Sequence, residues 1–156
     1  MRAGISTGTC ATAAATAAAM VLRGVDPSEL TSVEVTLPRG EVVEVPVFDV
    51  ELRSDRSACA SVVKDAGDDI DVTDKATIHA CVELVEGGSG VRFFAGEGVG
   101  IVTREGLQIT VGEPAINPVP REMIAVALAH ELGDDVATTV TVSVPGGAEL
   151  ARKTFN

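Results

Sequence analysis

Cations are scarce in this chain: 12 Lys and Arg stand against 23 Asp and Glu among 156 residues, a formal net charge of −11 at pH 7. A field of that sign repels phosphate backbones and anionic lipid headgroups at long range, so neither nucleic acid nor a membrane surface is an expected partner. A polyanionic small molecule remains admissible through a local pocket built from a few cations, of which Arg2, Lys64, Arg92, Arg104, Arg121, Arg152 and Lys153 are candidates. Cysteine is equally sparse. Cys10, Cys59 and Cys81 are odd in number and make no CxxC pair, which offers no zinc or redox motif, points to a reducing compartment and reads the three as buried small hydrophobes. Long apolar runs are missing too. Seven of the nine residues from Ala11 to Ala19 are Ala, but Thr12 and Thr16 interrupt them. The run lacks the Leu-rich core of a signal peptide and is shorter than the ~20 residues a membrane span requires. A soluble, cytoplasmic protein is expected.

What is present suffices for one domain: 46% of residues are hydrophobic although only 3% are aromatic, and a chain of this length buries a sizeable core. The pattern predicts a helix from about Thr9 to Arg23, stopped by Gly24 and lacking any charged stripe, hence buried. Alternation over 33–37 and 43–47 around Pro38-Arg39-Gly40 predicts a hairpin with an edge at Pro46. Residues 78–84 and 91–94 flank Gly87-Gly88-Ser89-Gly90 and read as a second hairpin; 101–103 and 107–111 read as a third. A helix follows near 119–132, with Pro120 in its first turn and Gly133 after it. A strand through Val140, Val142 and Val144 and a short helix over 149–155 complete an α+β domain. Its sheet is expected to be mixed and largely antiparallel, packed against the two helices.

Four segments depart from core patterning. Gly4 to Cys10 opens the Ala-rich helix, where free N–H groups and hydroxyls favour a carboxylate or phosphate; the plain alternative is an N-cap by Thr7 or Thr9. The segment has neither the Lys nor the preceding strand of a phosphate-binding loop. Lys64-Asp65-Ala66-Gly67-Asp68-Asp69 leads to Asp71 and Asp74, with no calcium-loop glycine or bidentate Glu in register. It reads either as a solvated acidic turn or as Lys64 facing a substrate carboxylate, with Asp65, Asp68 or Asp69 positioning groups or acting as bases. Gly96-Glu97-Gly98-Val99-Gly100 permits close backbone approach to a ligand. Gly112 to Arg121 is a proline-stiffened lead into a helix carrying Glu113, Asn117 and Arg121. His79 on a strand's polar face and His130 near a helix end have no Cys or His partner at ligand spacing, so both are expected to be structural and no metal is expected. No Ser-His-Asp or Cys-His set can be assembled.

Together these segments resemble the CbiD family, the cobalt-precorrin-5B C1-methyltransferases of anaerobic cobalamin biosynthesis. The resemblance rests on Thr7-Gly8-Thr9-Cys10 with the following alanines, Val63 to Asp69 through Asp71-Val72-Thr73, and Gly96 to Thr103. It extends through Gly112 to Arg121 and from Val142-Ser143-Val144-Pro145 to Lys153-Thr154-Phe155-Asn156, all in the family's order. Ser6 stands where the family commonly has Thr, which keeps the hydroxyl.

The resemblance implies methyl transfer from S-adenosylmethionine to C1 of a cobalt-bound, polycarboxylated tetrapyrrole, giving cobalt-precorrin-6A. Under it, Asp65, Asp68 and Asp69 are catalytic candidates. Thr7, Thr9, Lys64, Glu97, Glu113, Asn117 and Arg121 are substrate-binding candidates. Family members continue past the position of Asn156 into a glycine-rich segment and a further domain suited to S-adenosylmethionine. Residues 1–156 therefore correspond to a single N-terminal domain, with much of the methyl-donor site expected elsewhere. The competing expectation is a non-catalytic tetrapyrrole-binding or assembly domain that works only with that other half.

Overall fold

The computed structural model describes residues 5–64, 75–100 and 113–145. The expected third hairpin, the C-terminal helix over 149–155 and the candidates Asp65, Asp68 and Asp69 lie outside these residues.

Helix α1 (Thr7–Leu22) forms where Ala, the best helix former, dominates. Ser6 is its N-cap: the Oγ accepts from the Thr9 amide at 3.0 Å and lies 2.9 Å from Thr9 Oγ1. The cap expected at Thr7 or Thr9 is instead Ser6, and Thr9 supplies the capped amide. At the other end Arg23 is the C-cap, and Gly24 follows at φ +109°. Twelve of the helix's sixteen residues are buried. Thr12 and Thr16 tolerate this because their hydroxyls donate to the Gly8 and Thr12 carbonyls, at 2.8 and 2.7 Å. Small side chains let the helix lie between three neighbours. Those neighbours are the main sheet, the second helix, and the hairpin of β1 (Ser32–Thr36) with β2 (Val42–Pro46). The expected hairpin is present, antiparallel, with Pro46 closing the end of β2 opposite Ser32.

The main sheet holds five strands in the order β3-β4-β5-β7-β6. They are β3 (Phe48–Ser54), β4 (Ser57–Val63), β5 (Thr77–Val85), β6 (Gly90–Ala95) and β7 (Ala137–Ser143). Helix α2 (Pro118–Leu132) joins β6 to β7. All pairings are antiparallel except β6 with β7. The α+β class and the mixed, mostly antiparallel sheet agree with expectation, and two features depart from it.

First, β5 and β6 do not form a hairpin: β7 lies between them, antiparallel to β5 and parallel to β6. The Gly87-Gly88 turn therefore bridges a gap of one strand, and the β6-α2-β7 path is a parallel crossover unit. Second, β3 and β4 went unread. Ser57 to Ser61 are small rather than β-branched. All five residues from Ala58 to Val62 are buried, so neither propensity nor alternation marks β4.

One face of the sheet meets α1 through Ala58, Ala60, Val62, Ile78, Ala80, Val82, Val140 and Val142. The opposite face carries Cys59, Ser61, His79 and Cys81. Among them, Cys59 and Cys81 are joined as a disulfide, which corrects the reading of the cysteines as merely buried small hydrophobes. Antiparallel register places these two residues directly opposite each other, 4.1 Å apart at Cα. Chain spacing does not disclose that pairing. No helix among the described residues is long and apolar enough to cross a membrane.

Candidate functional site

Strand direction decides which turns meet. Ala95 is paired with Val142, and β6 and β7 run parallel, so both end at the same edge of the sheet. His79 pairs with Ser143 and Thr77 with Val63, which brings the start of β5 and the end of β4 to that edge. Lys64 follows immediately. Because α2 returns the chain from β6 to the start of β7, its N-terminus lies at this edge as well. Helix α1 runs beside it in the same sense. A Cβ added to Gly8 would sit 2.7 Å from Pro120 Cγ, while at the far ends Arg23 Nε meets Glu131 Oε1 at 2.8 Å.

One edge therefore gathers the N-termini of both helices, Lys64, the Gly96–Gly100 turn and the 113–117 segment. It is also the carboxyl end of the two parallel strands, where a crossover unit leaves its crevice. Thr7, Thr9, Lys64, Glu97, Glu113, Asn117 and Arg121 all belong to this edge.

These residues are not equivalent there. Thr7 and Asn117 are exposed at the two helix starts. Asn117 is the α2 N-cap but makes no side-chain capping bond. Thr9 is buried and its hydroxyl faces Ser6. Lys64 is buried too, with its amide bonded to the Ala76 carbonyl and its own carbonyl to the Lys75 amide. Glu97 is exposed, and its carbonyl takes the Val144 amide, extending the β6–β7 ladder past the strand ends.

Arg121 is committed to the local backbone. Nε donates to Ile116 O at 2.8 Å, Nη2 to Pro114 O at 2.7 Å, and Nη1 stands 3.9 Å from Glu113. Its guanidinium also lies 5.2 Å from the centre of the Phe93 ring. It thus clips the 114–116 segment to α2 and β6. The Gly96–Gly100 turn is tied to the same segment by the Ala115 amide on Gly100 O at 2.8 Å. Gly98 adopts φ +77°, which favours glycine.

The electrostatics of the edge run against the composition. The chain carries 23 acids, yet neither helix has an acidic residue in its first turn. Asp and Glu are the residues that helix dipoles favour there. Among the described residues, both positive dipole ends at this edge therefore lack a carboxylate from their own first turn. In α1, Ser6 satisfies the Thr9 amide, and the Thr7 and Gly8 N–H groups stay at the helix mouth. In α2, Pro118 and Pro120 carry no N–H, so Val119 is the donor of the first turn.

A groove of about 620 Å³ lies elsewhere, between β1 and the Val119–Glu131 side of α2, with Thr12 and Thr16 on its floor. It is mainly apolar and carries Glu34, Glu122 and Glu131, a poor receptor for anions. His130 lies on it, exposed, in the last turn of α2. His79 is half-buried on the far face of the sheet. Burial lowers its pKa, helped by Arg53 and opposed by Glu51 and Asp49, so the imidazole is neutral near pH 7.

The fold and this edge define an α+β domain with a crossover crevice fed by two helix N-termini. The CbiD family model matches residues 1–156, and the chain belongs to that family. It is 49% identical over 160 residues to the cobalt-precorrin-5B C(1)-methyltransferase of Hahella chejuensis, covering all of this chain and 43% of that protein. It is 48% identical over 157 residues to the protein of the same name from Moorella thermoacetica, covering 41% of it. The crystal structure of the cobalamin biosynthesis protein (cbiD) from Archaeoglobus fulgidus aligns with a TM-score of 0.66 at 32% identity, over 98% of this chain and 46% of that one. The chain thus spans about two fifths of the length of the curated relatives it matches.

Proposed function

We propose that this chain supplies the tetrapyrrole-receiving part of a cobalt-precorrin-5B C1-methyltransferase, in which S-adenosylmethionine donates the methyl group and cobalt-precorrin-6A results. The observation that carries the reading is the pair of acid-free helix N-termini at one edge of a strongly acidic chain. Such an edge suits acetate and propionate arms, each carboxylate meeting a dipole end and a few fixed donors. Thr7 and its amide, the Val119 amide and Asn117 are the groups that present themselves. Lys64 adds a cation at the end of β4. Arg121 acts as a positioning residue that holds the 114–116 segment, and Glu113 and Glu97 line the approach.

The donor set fits the anionic macrocycle better than it fits the whole of the methyl donor. Gly96–Gly100 with exposed Glu97 is suited to one end of S-adenosylmethionine, a backbone that permits close approach beside a carboxylate for the sulfonium charge. When bound, S-adenosylmethionine would supply an electrophilic methyl for C1 of the macrocycle. This chain's residues are then required to hold the ring in line and exclude misaligned poses, a contribution of proximity and electrostatics that needs no protein nucleophile. Asp65, Asp68 or Asp69 would take the proton or orient the sulfonium from the segment that follows Lys64.

Placing an acid at each helix start tests this with opposite signs. Thr7→Asp and Asn117→Asp should keep or raise thermal stability, by about 0.3–1 kcal/mol each, because a carboxylate there satisfies the dipole. The same changes should weaken binding of a cobalt-bound polycarboxylated tetrapyrrole by tenfold or more in calorimetry. Unchanged affinity with raised stability would overturn the edge as the receiving site. Calorimetry with S-adenosylmethionine alone distinguishes the two parts of the reading. No binding is expected if most of its site lies in the remainder of the family's length, and clear binding would make this domain self-sufficient.

A further inference from the structure

The face of the main sheet turned away from α1 carries a second cluster. Cys59 on β4 is the register partner of Cys81 on β5, and Ser61 and His79 are the next pair on the same face. His79 is oriented at both ring nitrogens: Nδ1 is 2.8 Å from Ser61 Oγ and Nε2 is 3.3 Å from Cys81 Sγ. One donor atom from each of Cys59, His79 and Cys81 lies within 4.8 Å of the other two.

We propose that, once the disulfide is reduced, Cys59, His79 and Cys81 bind a single zinc-type divalent cation, so that the oxidation state of the cysteine pair switches metal binding.

The ligand chemistry is that of a three-donor zinc site: two thiolates and one imidazole, with the fourth position open. Two thiolates on a divalent cation make a complex of zero net charge. A sheet face on which Cys59 and Ser61 are buried can hold that without stranding a charge. The Ser61 hydroxyl at Nδ1 fixes the ring so that Nε2 points at the sulfurs, the usual office of a second partner on a ligating histidine. A depression of about 650 Å³ lined by Ser61, His79, Thr77, Glu51 and neighbours adjoins the imidazole, from which water could complete the shell.

The chemistry balances with a dithiol as reductant. It delivers two electrons and two protons to the Cys59–Cys81 bond and leaves as its own disulfide. The cation then displaces the two thiol protons to solvent. A small-molecule disulfide reverses this: it takes two electrons and leaves as two thiolates while the Cys59–Cys81 bond re-forms, which removes both sulfur ligands and releases the cation.

The test uses the whole chain, reduced with a dithiol, freed of reductant without oxygen, and titrated with cobalt(II) and then zinc(II). The reduced protein should take up one equivalent of cobalt with a thiolate-to-cobalt charge-transfer band in the near ultraviolet. Zinc should bleach the band, and the oxidised protein should show none. His79→Gln should weaken binding at least tenfold. Ser61→Ala should weaken it by about 10–100-fold, the range typical of a partner that orients a ligating imidazole. Cys10→Ser should leave it unchanged. A reduced wild-type chain without the band would overturn the site, as would a band that survives in both Cys59→Ser and Cys81→Ser. Comparing reduced with oxidised wild type keeps the test decisive even where a variant does not fold.

Discussion

Arg121 illustrates how far a single residue could be read ahead of the structure. Its position after Pro118-Val119-Pro120 marked it as one of a few cations near a helix start, which the fold bears out. Its partners were not legible, because the carbonyls of Pro114 and Ile116 face it only once the segment has folded back on α2. Two charge-assisted bonds and a ring contact make it a clip. Arg121→Ala is expected to lower stability by about 1–3 kcal/mol, read as a shifted urea midpoint, since hydrogen bonds to charged groups contribute at that scale. Arg121→Lys should recover little, because an ammonium cannot span both carbonyls as the planar fork does. Wild-type stability in Arg121→Ala would refute the clip.

His79 was read correctly as lying on a polar strand face, but without a cysteine partner. That judgement counted separation along the chain. In a strand, i and i+2 share a face, so His79 and Cys81 were neighbours from the start. Cys59, 22 residues from Cys81, joins them only through the β4–β5 register.

Among elements, the Ala-rich helix was the most legible. Absence of charge from Ala3 to Leu22 and an Ala-dominated interior dictated burial on all sides, and the structure wraps it in sheet, helix and hairpin. What the sequence could not reveal was its neighbour. Gly8 meets Pro120 so closely that any side chain there must push the helix starts apart. Gly8→Val should cost about 1–3 kcal/mol by overpacking and should also weaken tetrapyrrole binding, since it separates the two dipole ends. Urea denaturation and calorimetry together check this; loss of stability with binding intact would show that the helix spacing does not matter to the ligand.

The strands mark the limit of local pattern. Alternation found β1, β2, β5, β6 and β7 but implied that β5 turns straight into β6. Pairing is a tertiary outcome, and β7 takes the place between them because the α2 crossover returns the chain parallel to β6. Strand β4 escaped because it is buried on both faces and built from Ala, Ser and Cys.

At the scale of the molecule, the opposition between overall charge and local field is what joins fold to function. A chain with net charge −11 repels most polyanions, so under the proposed function a multiply carboxylated ring would be received where neither helix carries an acid in its first turn, beside Glu97 and Glu113. Five segments in family order made the relationship legible in the sequence. The convergence of their described parts on one edge required the strand directions, because it is the β4–β5, β5–β7 and β6–β7 pairings together with the two parallel helices that bring them to the same side.

Amide chemical-shift mapping on the isotopically labelled chain, titrated with a cobalt-bound polycarboxylated tetrapyrrole, tests that convergence most directly. The largest changes are expected at Ser6 to Thr9, Glu97, Gly98, Val119 and Arg121, moving together with a single dissociation constant. Changes confined to the groove at Leu37, Val126 and His130, or to the opposite end at Arg23 and Gly133, would contradict it.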